Sequence, residues 1–148
     1  MNKILVPVDG SVASEKAALM AVQIAKEKNG EIVFLSIAEV RGKYEYVGDG
    51  VVTLPINHSQ ISAMILENQT KMLDAFSGLV NTEGVKFEKK VVVGVPYEEI
   101  LKYAGENNVD LIVMGRRGFS KIKRFFVGSI THRVISDAPC PVLVINED

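Results

Sequence analysis

The sequence predicts an α/β fold: one domain over residues 1–148, an open five-stranded parallel sheet of order 3-2-1-4-5, and helices on both faces. Three observations carry this. Short apolar runs alternate with segments of helical period four times and are closed by a fifth run, the pattern of repeated β-α units. The runs are nearly unbroken, as strands covered on both faces must be. Right-handed crossovers then favour an order that reverses direction between the first and fourth strands.

Taken in order, Ile4 to Val8 is the first strand, broken by Asp9-Gly10-Ser11. Ala13 to Lys28 has helical period, with Lys16, Gln23 and Glu27 on one face and Ala17, Ala21, Ile24 and Ala25 elsewhere. Asn29-Gly30 closes that helix, and Ile32 to Ala38 is the second strand. Arg41 to Asn57, with its glycines, proline and mixed polarity, reads as a long surface loop of the kind that is usually functional. Ser59 to Val80 reads as the second helix, with Ile61, Ile65, Met72, Phe76 and Leu79 inward and a Glu67–Lys71 pair outside. Val85 to Val93 is the third strand, and Pro96 starts a helix running to about Asn107. Leu111 to Met114 is the fourth strand, Ser129 to Ser136 a helix, and Pro141 to Ile145 the fifth strand.

At 148 residues the chain can bury a real core. A net charge of −1 argues against a general nucleic-acid or membrane-surface binder. No apolar run approaches the roughly 18 residues of a membrane span. Only five apolar residues separate Lys3 from Asp9, too few for a signal peptide, so the expected compartment is the cytoplasm. The single cysteine, Cys140, permits no internal disulfide and reads as a small buried hydrophobe. His58 and His132 are far apart and suggest neither a catalytic nor a metal pair; His58 reads as the start of the second helix.

The most informative stretch is Gly115-Arg116-Arg117-Gly118, nine residues, then Gly128-Ser129. It joins the fourth strand to the last helix. Glycines allow close backbone approach to an anion and tolerate positive φ. The helix N-terminus offers unpaired N–H groups and about half a positive charge. The hydroxyls of Ser129 and Thr131 are expected to add donors. Arg116, Arg117, Lys121, Lys123 and Arg124 lie in the loop, and Leu111 to Arg133 holds no acidic residue to neutralise them. This reads as a phosphate cradle. The ligand position of such a sheet lies beyond its carboxyl ends at the reversal of strand order. Asp9 and Gly115 both fall there. Neither G-x-G-x-x-G nor a Walker-type loop occurs.

This glycine motif, the following Ala138-Pro139-Cys140-Pro141-Val142-Leu143-Val144 and the opening Lys3-Ile4-Leu5-Val6-Pro7-Val8-Asp9-Gly10-Ser11 together resemble the universal stress protein family over the whole chain. The glycines resemble those of its ATP-binding branch. The resemblance implies a Rossmann-like fold of the adenine nucleotide alpha hydrolase type. It implies that Asp9 contacts the ribose, that Pro7 and Val8 line the pocket, and that Ile37 meets adenine through its backbone. It places Met114 and Gly115 against the ribose and α-phosphate, and Gly118, Gly128, Ser129, Ile130 and Thr131 on the phosphates. His132 departs from many members but lies past the phosphate-contacting turn.

Hydrolysis of ATP needs a positioned water and a group to orient it. The cradle has no acidic residue; Asp9 and Glu39 are the candidates on the crevice side, and Asp9 is better explained by the ribose. The expected function is therefore a nucleotide-dependent switch in stress response, holding ATP with a divalent ion such as Mg or Mn on its phosphates, and hydrolysing it slowly or not at all. The alternatives are a weak ATPase or phosphoryl-transfer enzyme, and a nucleotide-independent dimeric adaptor. The fifth strand, Val142-Leu143-Val144-Ile145, is apolar at a sheet edge, which is a liability unless covered. Pairing with a second copy would make a twofold homodimer, and the resemblance implies the same.

Overall fold

A computed structural model describes residues 2–39, 44–47, 50–53, 58–118 and 127–147, side chains between 44 and 62 excepted. The strands are β1 (Lys3–Pro7), β2 (Glu31–Ala38), β3 (Tyr44–Val47), β4 (Gly50–Thr53), β5 (Lys86–Val93), β6 (Leu111–Gly115) and β7 (Val142–Ile145). The helices are α1 (Val12–Lys28), α2 (His58–Leu79), α3 (Pro96–Glu106) and α4 (Ser129–Asp137). Five strands form one parallel sheet in the order β5-β2-β1-β6-β7, the predicted 3-2-1-4-5 arrangement.

Side-chain alternation along the strands divides the core in two. Ile4, Val6, Ile32, Phe34, Leu111 and Val113 pack under α1 and α2 with Ala17, Ala21, Leu73 and Phe76. Leu5, Val33, Leu35, Ile112 and Met114 point the other way, to Ile100 and Ala104 of α3 and Val134 of α4. On the first face, Phe34 meets Phe76 edge-on at 6.0 Å between ring centroids. The alanines of α1 let it lie close to the sheet: Ala13, Ala17, Ala18 and Ala21 are fully buried.

Helix ends follow the local chemistry. Ser11 caps α1, its side-chain oxygen accepting the Ser14 N–H at 3.2 Å. Asn29 closes that helix in the left-handed region at φ 52°. Pro96 opens α3 at its first turn.

Two expectations are corrected. The stretch read as a loop from Arg41 to Asn57 contains an antiparallel hairpin, with Tyr44 facing Thr53 and Val47 facing Gly50; residues 41–43, 48–49 and 54–57 lie outside the described ones. In α2, Phe76 is buried and Glu67 pairs with Lys71 at 3.1 Å as expected, but Leu79 is 70% exposed. Leu73 takes the inward place instead, one turn before Phe76 and Ser77 on the face toward the sheet. The inward face runs through Leu73, Phe76 and Val80, all buried in one cluster, and Leu79, one residue before Val80, is turned off that face. Met72 and Ile65 are half-buried, and the Ile61 side chain lies outside the described ones.

The two edges of the sheet differ in kind. β5, Lys-Phe-Glu-Lys-Lys-Val-Val-Val, is exposed along its first five residues and carries charges that discourage pairing. All four residues of β7 are apolar and half-buried. No described helix is long and apolar enough to cross a membrane.

Candidate functional site

A cleft of about 340 Å³ opens beyond the carboxyl ends of β1, β2 and β6, at the reversal of strand order. Pro7, Val8, Asp9, Ile37, Met114, Gly115, Gly118, Ile130 and Thr131 line it, so nine of the residues expected from sequence meet there. Gly128 and Ser129 do not line it, although they flank it at the start of α4. Arg117, expected in the phosphate loop, and Glu39, expected on the crevice side, also line the cleft, as do Ser11, Ser14, Gln69, Pro96 and Ile100, which were not expected.

The sugar and phosphate end is built from two chain reversals facing each other. After β1, Gly10 takes φ 83°, a conformation that favours glycine, and turns the chain into α1. One oxygen of Asp9, Oδ1, accepts the Ser11 N–H at 2.9 Å, which fixes the carboxylate across the turn. Its other oxygen lies against Gly118, where a β-carbon would collide with it. Gly115 packs just as closely on α1: a β-carbon there would fall 2.6 Å from Ala13 Cβ.

The glycines of the motif, Gly115, Gly118 and Gly128, thus serve proximity and not positive φ, which is a correction. Gly128 sits at φ −59° and ψ 152°, open to any residue. A β-carbon on it would approach Arg117 Cα at 3.3 Å. The Gly128 N–H donates to Arg116 O at 2.8 Å, which closes the loop at the mouth of α4.

The hydroxyl of Thr131 is also corrected. It is buried and donates to Gly115 O at 2.9 Å, tying α4 to the end of β6, so its proton is committed. α4 has no side-chain cap and no acidic residue in its first turn, so its own residues leave the positive end of the helix open to an anion. Arg117 lines the cleft, with Nη2 3.8 Å from Glu147 Oε2 beyond β7. Lys121, Lys123 and Arg124 lie outside the described residues.

At the opposite end the sheet itself supplies recognition groups. The Val8 N–H donates to Leu35 O, and the Gly94 N–H donates to Ala38 O. Successive residues of β2 therefore face β1 and β5 in turn. Ile37, two residues after Leu35, directs its N–H and C=O to the β1 side. β1 has ended at Pro7, opposite Leu35. A backbone donor and acceptor thus face the cleft side by side. Ser36, buried, donates its hydroxyl to Gln69 Oε1 at 2.8 Å.

Cys140 is half-buried, and burial pushes its thiol above the ordinary range, away from the reactive thiolate. Among the described residues no group of three metal-binding side chains occurs.

The model of the universal stress protein family matches residues 1–146. The chain belongs to this family. A universal stress protein of Methanocaldococcus jannaschii is 36% identical over 148 residues, covering 99% of this chain and 82% of that protein. The solved hypothetical protein MJ0577 superposes with a TM-score of 0.80 at 28% identity, covering 98% of this chain and 95% of its own. A universal stress protein crystallised in complex with cAMP superposes with a TM-score of 0.61 at 25% identity, covering 99% of this chain and 98% of its own.

Proposed function

We propose that this protein binds an adenine nucleotide, ATP, and acts as a nucleotide-dependent regulator of the stress response, with slow or no hydrolysis. The observation that carries the reading is the contact of Asp9 with Gly118. A carboxylate fixed by the Ser11 N–H stands beside a backbone stripped of side chains, at the switch point of the sheet. A fixed carboxylate accepts the hydroxyls of a ribose, and the bare backbone beside it leaves room for phosphates. The Ile37 N–H and C=O match the acceptor and donor that adenine presents side by side at N1 and N6. The cleft volume of about 340 Å³ falls within the range of small-molecule sites. The relative crystallised with cAMP supports an adenine ligand.

A divalent ion, Mg or Mn, would be carried by the phosphates and their waters, since the described residues hold no cluster of ligands for it. Among the described residues lining the cleft the carboxylates are Asp9, engaged by the turn and assigned to the sugar, and Glu39, which follows β2 on the side of Ile37. ATP would therefore act by favouring one conformation or partner state over another. The apolar edge of β7 supports a twofold homodimer through Val142, Leu143, Val144 and Ile145, because the charged edge of β5 opposes pairing on the other side. The regulator would work in the cytoplasm.

The test has two arms. Denaturing freshly purified protein and identifying any released molecule by mass spectrometry should yield an adenine nucleotide. Single-turnover measurement at saturating ATP should find the nucleotide intact after release. An empty site that also fails to take up added ATP refutes binding, and rapid hydrolysis refutes the switch in favour of an ATPase.

A further inference from the structure

The base end of the cleft carries a polar arrangement outside the glycine motif. Gln69 of α2 lines the cleft beside Ile37 and Glu39. Its Oε1 accepts the hydroxyl of Ser36, a residue 1% exposed on β2. We propose that Gln69, held by Ser36, selects a 6-amino purine over a 6-oxo purine. This rests on the nucleotide reading above.

The chemistry follows from the amide. Its oxygen has two lone pairs and its nitrogen two protons. With one lone pair taken by Ser36, the oxygen can accept one further proton, and the NH2 group remains a donor. That acceptor-and-donor pair complements the N6 amine and N7 of adenine, the bidentate pairing glutamine makes with this base elsewhere. Guanine and hypoxanthine keep N7 but carry an oxygen at position 6, which sets acceptor against acceptor. An unrestrained glutamine would answer by turning its NH2 group toward both acceptors, N7 and the 6-oxygen, with its own oxygen carried off the ring edge. Here the turn would take the acceptor away from a buried hydroxyl, and leaving a buried donor unsatisfied is costly. Ser36 is thus a positioning residue, and Gln69 is the side chain that meets the base.

The experiment measures dissociation constants by calorimetry for ATP, ITP, GTP and inorganic triphosphate, in the wild type, Gln69→Leu and Ser36→Ala. Gln69→Leu should weaken ATP about tenfold or more, the loss of a bidentate pair, while ITP changes little, so selectivity narrows. Ser36→Ala leaves the amide in place but free to turn; ATP should bind nearly as before, ITP and GTP more tightly. Inorganic triphosphate, which has no base, should be unaffected by either change. Ser36→Ala removes a single oxygen and keeps the test usable where Gln69→Leu fails to fold. An ATP:ITP ratio unchanged by either substitution overturns the proposal. Wild-type protein that binds ATP no better than triphosphate overturns instead the adenine reading on which it rests.

Discussion

Gly118→Ala should separate ligand affinity from folding. The new β-carbon falls on Oδ2 of Asp9, the far end of a short, exposed side chain, so the carboxylate swings away and the backbone stays. In swinging, Asp9 gives up the Ser11 N–H it holds at 2.9 Å. For an exposed group this loss should cost about 1 kcal/mol of stability, the value of an ordinary hydrogen bond, because solvent screens the charge. The melting temperature should then fall by roughly 2–4 °C in a domain of this size. Affinity should suffer more, because the carboxylate leaves the position assigned to the ribose. One or two lost charge-assisted hydrogen bonds at about 1.5 kcal/mol each correspond to roughly a tenfold to hundredfold rise in Kd.

Gly115→Ala is the contrasting control. Its β-carbon meets Ala13 Cβ at 2.6 Å and the Ala13 carbonyl carbon at 3.1 Å, so α1 itself must move. Overpacking of that kind costs about 1–3 kcal/mol, and its effect should appear mainly in the melting temperature. Titration calorimetry with ATP and thermal melting without ligand check both variants. Gly118→Ala protein that keeps wild-type ATP affinity would refute the assignment of this contact to the nucleotide. Affinity and melting temperature collapsing together would show that Gly118 serves the fold alone.

Three further outcomes are expected. Val144→Glu should turn dimers into monomers in sedimentation at micromolar concentration, because the new charge would be buried against the paired edge without a partner; an intact dimer moves the interface elsewhere. Asp9→Asn should weaken ATP binding, since an amide accepts ribose hydroxyls less well than a carboxylate. Turnover should lie far below the enzyme median of about 10 per second in wild type and variant alike; rapid turnover lost in the variant, with affinity unchanged, would make Asp9 a catalytic base. Tyr103 should ionise late: burial, then the Glu88 charge, pushes its phenol from 10.0 up to about 12, and its hydroxyl donates to Glu88 Oε1 at 3.2 Å. Because the folded value is the raised one, the stability it contributes is fully present below pH 10.0 and is lost as pH rises through about 12. Comparing alkaline unfolding of wild type and Tyr103→Phe checks this; a gap that persists above that range contradicts it.

What the sequence disclosed and what it withheld have different physical causes. Apolar runs report burial on both faces, so Ile4 to Val8, Ile32 to Ala38 and Leu111 to Met114 were legible as central strands. Crossover handedness then ordered them, and the order put Asp9 and Gly118 at one crevice. The hairpin escaped because its run is short, although Tyr44-Glu45-Tyr46-Val47, Gly48-Asp49 and Gly50-Val51-Val52-Thr53 carry a two-residue turn signal between strand formers. Leu79 and Leu73 were misjudged because apolar residues spread over a wide arc of α2, and only packing decides that its centre runs through Leu73, Phe76 and Val80.

The polar groups of the cleft obey a different rule. A hydroxyl or amide is assigned only when packing has brought its partner near, and no periodicity encodes that partner. Thr131 looked like a phosphate donor from its place on the first turn of α4, yet the end of β6 supplies Gly115 O at hydrogen-bond distance and takes the proton. Ser36 and Gln69 meet only because α2 crosses β2, and they are 33 residues apart in the chain. Ser11 alone could have been read, since Ser-x-x-Ser before an alanine-rich run is a capping signal. The motif therefore located the cleft, while the direction of each donor and acceptor within it is a property of the packed fold. Discrimination among purines depends on those directions, so it is the part of the function that substitutions at Ser36 and Gln69 should move and substitutions in the glycine motif should not.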